Sequence, residues 1–153
     1  MSVVRFFTPE NRLGKAIAEP GGKRIDQAIA DADAQLALAG AESAIKIDEI
    51  LGAIYKLAGA SLNPPLAELY ARTREVAGLA GIAGLPDLGA GAHTFCSMIE
   101  VAQAKGALSV EQLQVNIGVL QLLRRPERFS EQERAALLAN LNAVLAKARR
   151  AGA

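Results

Sequence analysis

A chain of 153 residues is long enough to bury roughly two-thirds of its unfolded surface in one core, so no second domain needs to be sought. Apolar residues make up 51%, charged residues 22% and aromatic residues only 4%, with alanine the commonest. This balance excludes a disordered chain and favours closely packed helices over strands. Seventeen Lys and Arg against sixteen Asp and Glu leave a net charge of +1. No global field is available to hold nucleic acid or an anionic membrane, so neither is an expected partner.

The segment Met1–Phe7 carries Arg5 inside a short apolar run, unlike a signal peptide or a membrane anchor, and a cytoplasmic protein is expected. Thr8-Pro9 reads as an N-cap followed by proline in the first turn, opening a short helix that stops near Pro20-Gly21-Gly22. Residues 1–23 therefore form a peripheral N-terminal arm, and residues 24–153 a helical bundle domain. From Arg24 onward Ile25, Ala28, Ile29, Ala32 and Leu36 form an apolar stripe opposed by Asp26, Asp31 and Asp33. Gly40 is expected to end that helix. Ile47, Ile50, Leu51, Ile54 and Leu57 then mark a second helix, paired with the first as an antiparallel hairpin.

Asn63-Pro64-Pro65 opens the next helix, whose core face reads Leu66, Leu69, Tyr70, Thr73, Val76, Ala77 and Ala80. Gly81 and Gly84 weaken it before Pro86 starts another, with Leu85, Leu88, Ala92, Phe95, Ile99 and Ala102 inward and a stop at Gly106. Ser109 with Gln112 and Ser130 with Glu133 have capping-box spacing. Each precedes a periodic run: Val110, Leu113, Ile117 and Leu120, then Leu137, Leu138, Leu141, Val144 and Leu145, with Pro126 between them. The predicted fold is an all-α, up-and-down antiparallel helical bundle.

Cys96 is the only cysteine and His93 the only histidine. This excludes an internal disulfide and any cluster of Cys and His around a metal, and no metal or cofactor is expected. The two lie at i and i+3, with Cys96 on the apolar side of its helix, where thiols are inert filler, and no catalytic dyad is expected from them. No phosphate loop or activated nucleophile is present, so the chain does not read as an enzyme. The basic cluster Arg124, Arg125 and Arg128, interleaved with Glu127 and Glu131, reads as a solvated loop.

One stretch departs from ordinary bundle design. The solvent stripe of the third helix carries Ala67, Ala71, Arg74, Gly78 and Gly81, small residues around one long cation, where Glu, Lys or Gln would be usual. Each interior glycine costs about 1 kcal/mol against alanine, so the pair marks the close approach of another surface, whether a neighbouring helix or a partner.

The segment from Arg74 to Leu88 resembles the signature of histidine phosphotransfer (HPt) domains, His-x-x-Lys-Gly-x-x-x-x-x-Gly-x-x-x-Leu. Gly78, Gly84 and Leu88 match, while Arg74 stands at the acceptor position and Ala77 at that of the helper lysine. The family's architecture, a helical bundle with the signature on an exposed helix face, agrees with the helices read above. In that family the glycine one turn after the histidine clears space for a receiver domain. The resemblance thus implies a non-catalytic adaptor that docks a response-regulator receiver domain or a sensor kinase through Ala67, Ala71, Arg74, Ala77, Gly78 and Gly81. Arginine offers no nucleophilic nitrogen, so the ordinary phosphotransfer is not expected. The chain from Asn11-Arg12-Leu13 through Pro20-Gly21-Gly22 to Leu122-Leu123-Arg124 is also similar to the CheE proteins of alphaproteobacterial chemotaxis clusters, which implies a chemotaxis setting. Two other readings stay open. His93, among Gly89, Ala90, Ser97 and Glu100, is a candidate displaced phosphoacceptor, and the small-residue stripe is a candidate homodimer contact.

Overall fold

The structure, a computed structural model, describes residues 24–60, 64–105 and 110–150. The expected N-terminal arm, the stop at Gly106 and the Ser109 cap lie outside them. The chain divides into two compact units, Met1–Gln35 and Leu36–Ala153. Among the described residues there are five α-helices and no strand: α1 (Ile25–Ala60), α2 (Leu66–Ile82), α3 (Pro86–Lys105), α4 (Val110–Leu123) and α5 (Glu131–Arg150). A single 3-10 turn, Pro126–Arg128, stands between α4 and α5. The fold is all-α with bundle-like packing.

The break expected at Gly40 does not occur. α1 runs unbroken for 36 residues, so the two expected helices are one and no hairpin joins them. One interior glycine costs only about 1 kcal/mol, and Ala37, Ala39, Ala41 and Ala44 around it are the strongest helix formers. Gly40 also has a packing role: a Cβ there would lie 3.2 Å from the Ile82 carbonyl oxygen, so its bare backbone admits the last turn of α2.

The stripe Ile25, Ala28, Ile29, Ala32 and Leu36 is likewise not inward. All five residues are exposed, the three large ones at 79%, 56% and 66%. The helix expected to cover them is α1's own continuation. Farther along α1, Ile47, Ile50, Leu51 and Ile54 are buried as their spacing predicts.

In the second unit α3 is central, packing against α2, α4 and α5. Leu69, Val76 and Ala80 of α2, Leu88, Phe95 and Ile99 of α3, and Leu113, Ile117 and Leu120 of α4 join one apolar core with the α1 residues and with Leu141 and Leu145 of α5. Each large side chain buried in this way contributes about 1.5–3 kcal/mol. Val144, expected inward, is exposed: Leu141 and Leu145 stand one turn apart, and Val144 falls at the margin of their stripe.

The α2–α3 turn follows from Gly84, whose φ of +70° is one that L side chains rarely adopt. The Leu85 amide donates to the Ala80 carbonyl (2.8 Å) and the Gly84 amide to that of Gly81 (3.3 Å), a Schellman closure with Pro86 opening the next helix. At α5 the expected capping box forms. The Ser130 amide donates to the Glu133 carboxylate (2.8 Å), and the Glu133 amide returns a bond to the Ser130 hydroxyl (3.3 Å). The bond from the Ser130 amide holds the Glu133 carboxyl below its ordinary range.

Candidate functional site

The face of the α2–α3 hairpin is built on a fixed register. At one end the Tyr70 hydroxyl donates to Glu100 Oε1 (3.1 Å). At the other, a Cβ on Gly89 would meet the Ala80 Cβ at 3.4 Å and the Ala77 carbonyl at 3.8 Å, so the helices approach closely there. Between these points the Thr73 hydroxyl, fully buried, donates to the Leu69 carbonyl (2.7 Å) and leaves no polar group unmet.

Ala67, Ala71, Arg74, Gly78 and Gly81 are all exposed. A Cβ on Gly78 or Gly81 would meet nothing within 4 Å, so no neighbouring helix among the described residues explains these glycines. Ala77 differs from the rest. It is 9% exposed and belongs to the core, so it underlies the stripe and adds little to its surface.

Arg74 has no hydrogen-bond or ion-pair partner among the described residues. Its charge opposes the upward pKa shifts of Tyr70 and Cys96, as the smallest of the causes acting on each. His93, three residues before Cys96 on α3, is exposed. Cys96 is buried, with its thiol 4.0 Å from the Tyr70 carbonyl, and burial pushes it up to about 11. At neutral pH it is a protonated, unreactive thiol. Tyr70 also lies above its ordinary value, because its hydrogen bond and charge interaction with Glu100 favour the neutral phenol.

A second feature was not legible in the sequence. Arg124, read there as solvated, is half-buried and bidentate on Asp48: Nε donates to Oδ1 (2.8 Å) and a terminal nitrogen to Oδ2 (2.9 Å). It also reaches the Ala44 carbonyl at 3.3 Å, tying the end of α4 to α1. Beside this pair opens a cavity of about 640 Å³, lined by Gly52 of α1, Gly118 of α4, Arg125, Arg128 and Phe129 among others. A smaller cavity of about 330 Å³ shares Gly118 and Gln121 with it and reaches Tyr55. Arg134 anchors the segment 126–129, donating to Asp87 (2.7 Å) and to the carbonyls of Phe129 (2.8 Å) and Pro126 (3.2 Å). Gly52 and Gly118, each inside a helix, were the sequence signals available.

Among the described residues no group of three or more His, Cys, Asp or Glu is placed to hold a metal ion, and no helix is long and apolar enough to cross a membrane. The chain matches no protein-family model, no curated protein and no solved structure.

Proposed function

We propose that the protein is a non-catalytic, HPt-like adaptor. In this reading the exposed α2–α3 face docks a response-regulator receiver domain, or the sensor kinase that feeds it, in a cytoplasmic two-component pathway of the chemotaxis kind. The observation that carries it is the unpartnered Arg74 on a stripe whose glycines open onto empty space. A fixed guanidinium suits the carboxylate pocket of a receiver, which it pairs bidentately, and the bare Gly78 lets the partner's backbone come close. The resemblance of the Arg74–Leu88 segment to the HPt signature supports the same face.

Calorimetric titration of candidate receivers and kinases from the same organism tests this. Arg74→Ala removes an interfacial arginine worth about 2 kcal/mol, so binding should fall roughly thirtyfold, and Gly78→Leu should abolish it. Equal affinities for wild type and both variants would overturn the docking reading. A homodimer through the stripe would instead show as a concentration-dependent mass in light scattering, lost in Gly78→Leu.

One observation favours a second reading. His93 is exposed on α3, the helix that pairs with α2, as a displaced acceptor would have to be. Acid-labile phosphate acquired from a phosphorylated receiver and absent in His93→Ala would establish it, whereas no labelling is the outcome expected of the adaptor.

A further inference from the structure

The cavity between α1 and α4 carries chemistry that the docking face does not use. Two of its three arginines are uncommitted. Arg124 spends its charge on Asp48, whereas the side chains of Arg125 and Arg128 have no hydrogen-bond or ion-pair partner among the described residues. Both line the cavity together with the half-buried Phe129. The nearest further carboxylate in sequence, Glu127, does not line the cavity.

The walls explain why space exists there. Gly52 and Gly118 sit inside helices, and a Cβ on either would meet nothing within 4 Å. At about 640 Å³ the opening falls within the range of small-molecule sites, roughly 300–1,000 Å³.

The 3-10 turn beside the cavity is also pre-organised. Arg134 fixes the Pro126 and Phe129 carbonyls to Asp87, and the backbone amides of Arg128 and Phe129 close the 3-10 turn on Arg125 and Pro126. The two free guanidiniums thus project from a turn whose ordering does not have to be repeated on binding.

We propose that this cleft binds a small phosphate monoester with an aromatic body, the phosphate held by Arg125 and Arg128 and the ring lying between Gly52 and Gly118 against Phe129. Two guanidinium forks match the charge of about −1.5 to −2 that a phosphate monoester carries at neutral pH, and each can meet two oxygens at once. An aromatic ring suits a cleft lined by two bare glycines, by the apolar side chains of Leu51 and Leu122 and by a phenyl ring. A free phosphate ion would leave the cleft empty, and a neutral aromatic would leave both arginines unanswered.

Titration of the full chain with phenyl phosphate and with adenosine monophosphate, followed by backbone amide NMR, tests the proposal. At least one ester should shift Gly52, Gly118 and Phe129 selectively and saturably. Arg125→Ala and Arg128→Ala should each weaken it about tenfold or more, and Gly118→Leu should abolish it. Arg74→Ala should leave it unchanged, which separates this site from the docking face. The proposal is overturned if neither ester shifts these residues at millimolar concentration. It is equally overturned if the arginine variants bind as wild type does, or if phenol, adenosine or inorganic phosphate binds as well as the esters.

Discussion

The two halves of α1 carry the same helical periodicity and meet opposite fates. Ile25, Ile29 and Leu36 stand in solvent, while Ile47, Ile50 and Ile54, spaced just as regularly, are buried. Periodicity identifies a face and is silent on whether anything covers it, because the covering surface is supplied by remote parts of the chain. The same contrast recurs within one turn of α3, where Cys96 is buried and His93 is open.

The sharpest test of this contrast is truncation on each side of it. Ile54→Ala should cost about 2–5 kcal/mol in denaturant unfolding, since a fully buried side chain leaves a cavity behind. A loss under 1 kcal/mol would mean that the covered half is not covered in solution.

The next effect is one of pH. The Cys96 thiol is pushed up to about 11 in the folded chain against 9.0 unexposed to that burial, so the folded state keeps its proton where the unfolded state loses it. Stability is therefore fully present below pH 9 and falls as pH rises toward 11. Cys96→Ala should flatten that part of the profile, and an unchanged slope would show the thiol to be accessible.

On open faces substitution should help or do nothing. Gly78→Ala should raise stability by up to about 1 kcal/mol, since a helix interior gains a methyl that meets no neighbour. Ile29→Ala, the counterpart of the first variant on the exposed half, should move the midpoint by less than about 0.5 kcal/mol. A larger loss there would reveal a cover for the stripe.

The elements easiest to read were those whose signals agree locally. Pro65, the buried stripe of α2, the Gly84 turn and Pro86 all lie within about two dozen positions, and each constrains the next. Helix α5 was legible for the same reason, since Ser130 and Glu133 cap it without help from elsewhere. Gly40 misled because glycine acts as a breaker only weakly. Its neighbours outvote it, and its real purpose depends on Ile82, far along the chain. For the sites the division is similar. The exposure of Ala67, Ala71, Arg74, Gly78 and Gly81 followed from helical spacing alone. The cleft did not, because Arg124 finds Asp48 across 76 positions and no local pattern announces that pairing.

The tight closure at Gly84 also has a kinetic consequence. It brings α2 against α3 with almost no chain to close, so the hairpin's contacts cost little loop entropy and can form before the rest. The bond between Arg124 and Asp48, by contrast, must wait for a long loop to close. Weakening Ala80 or Leu88 should therefore slow folding, whereas removing Arg124 should chiefly hasten unfolding, with the α1–α4 cleft forming after the hairpin and opening before it.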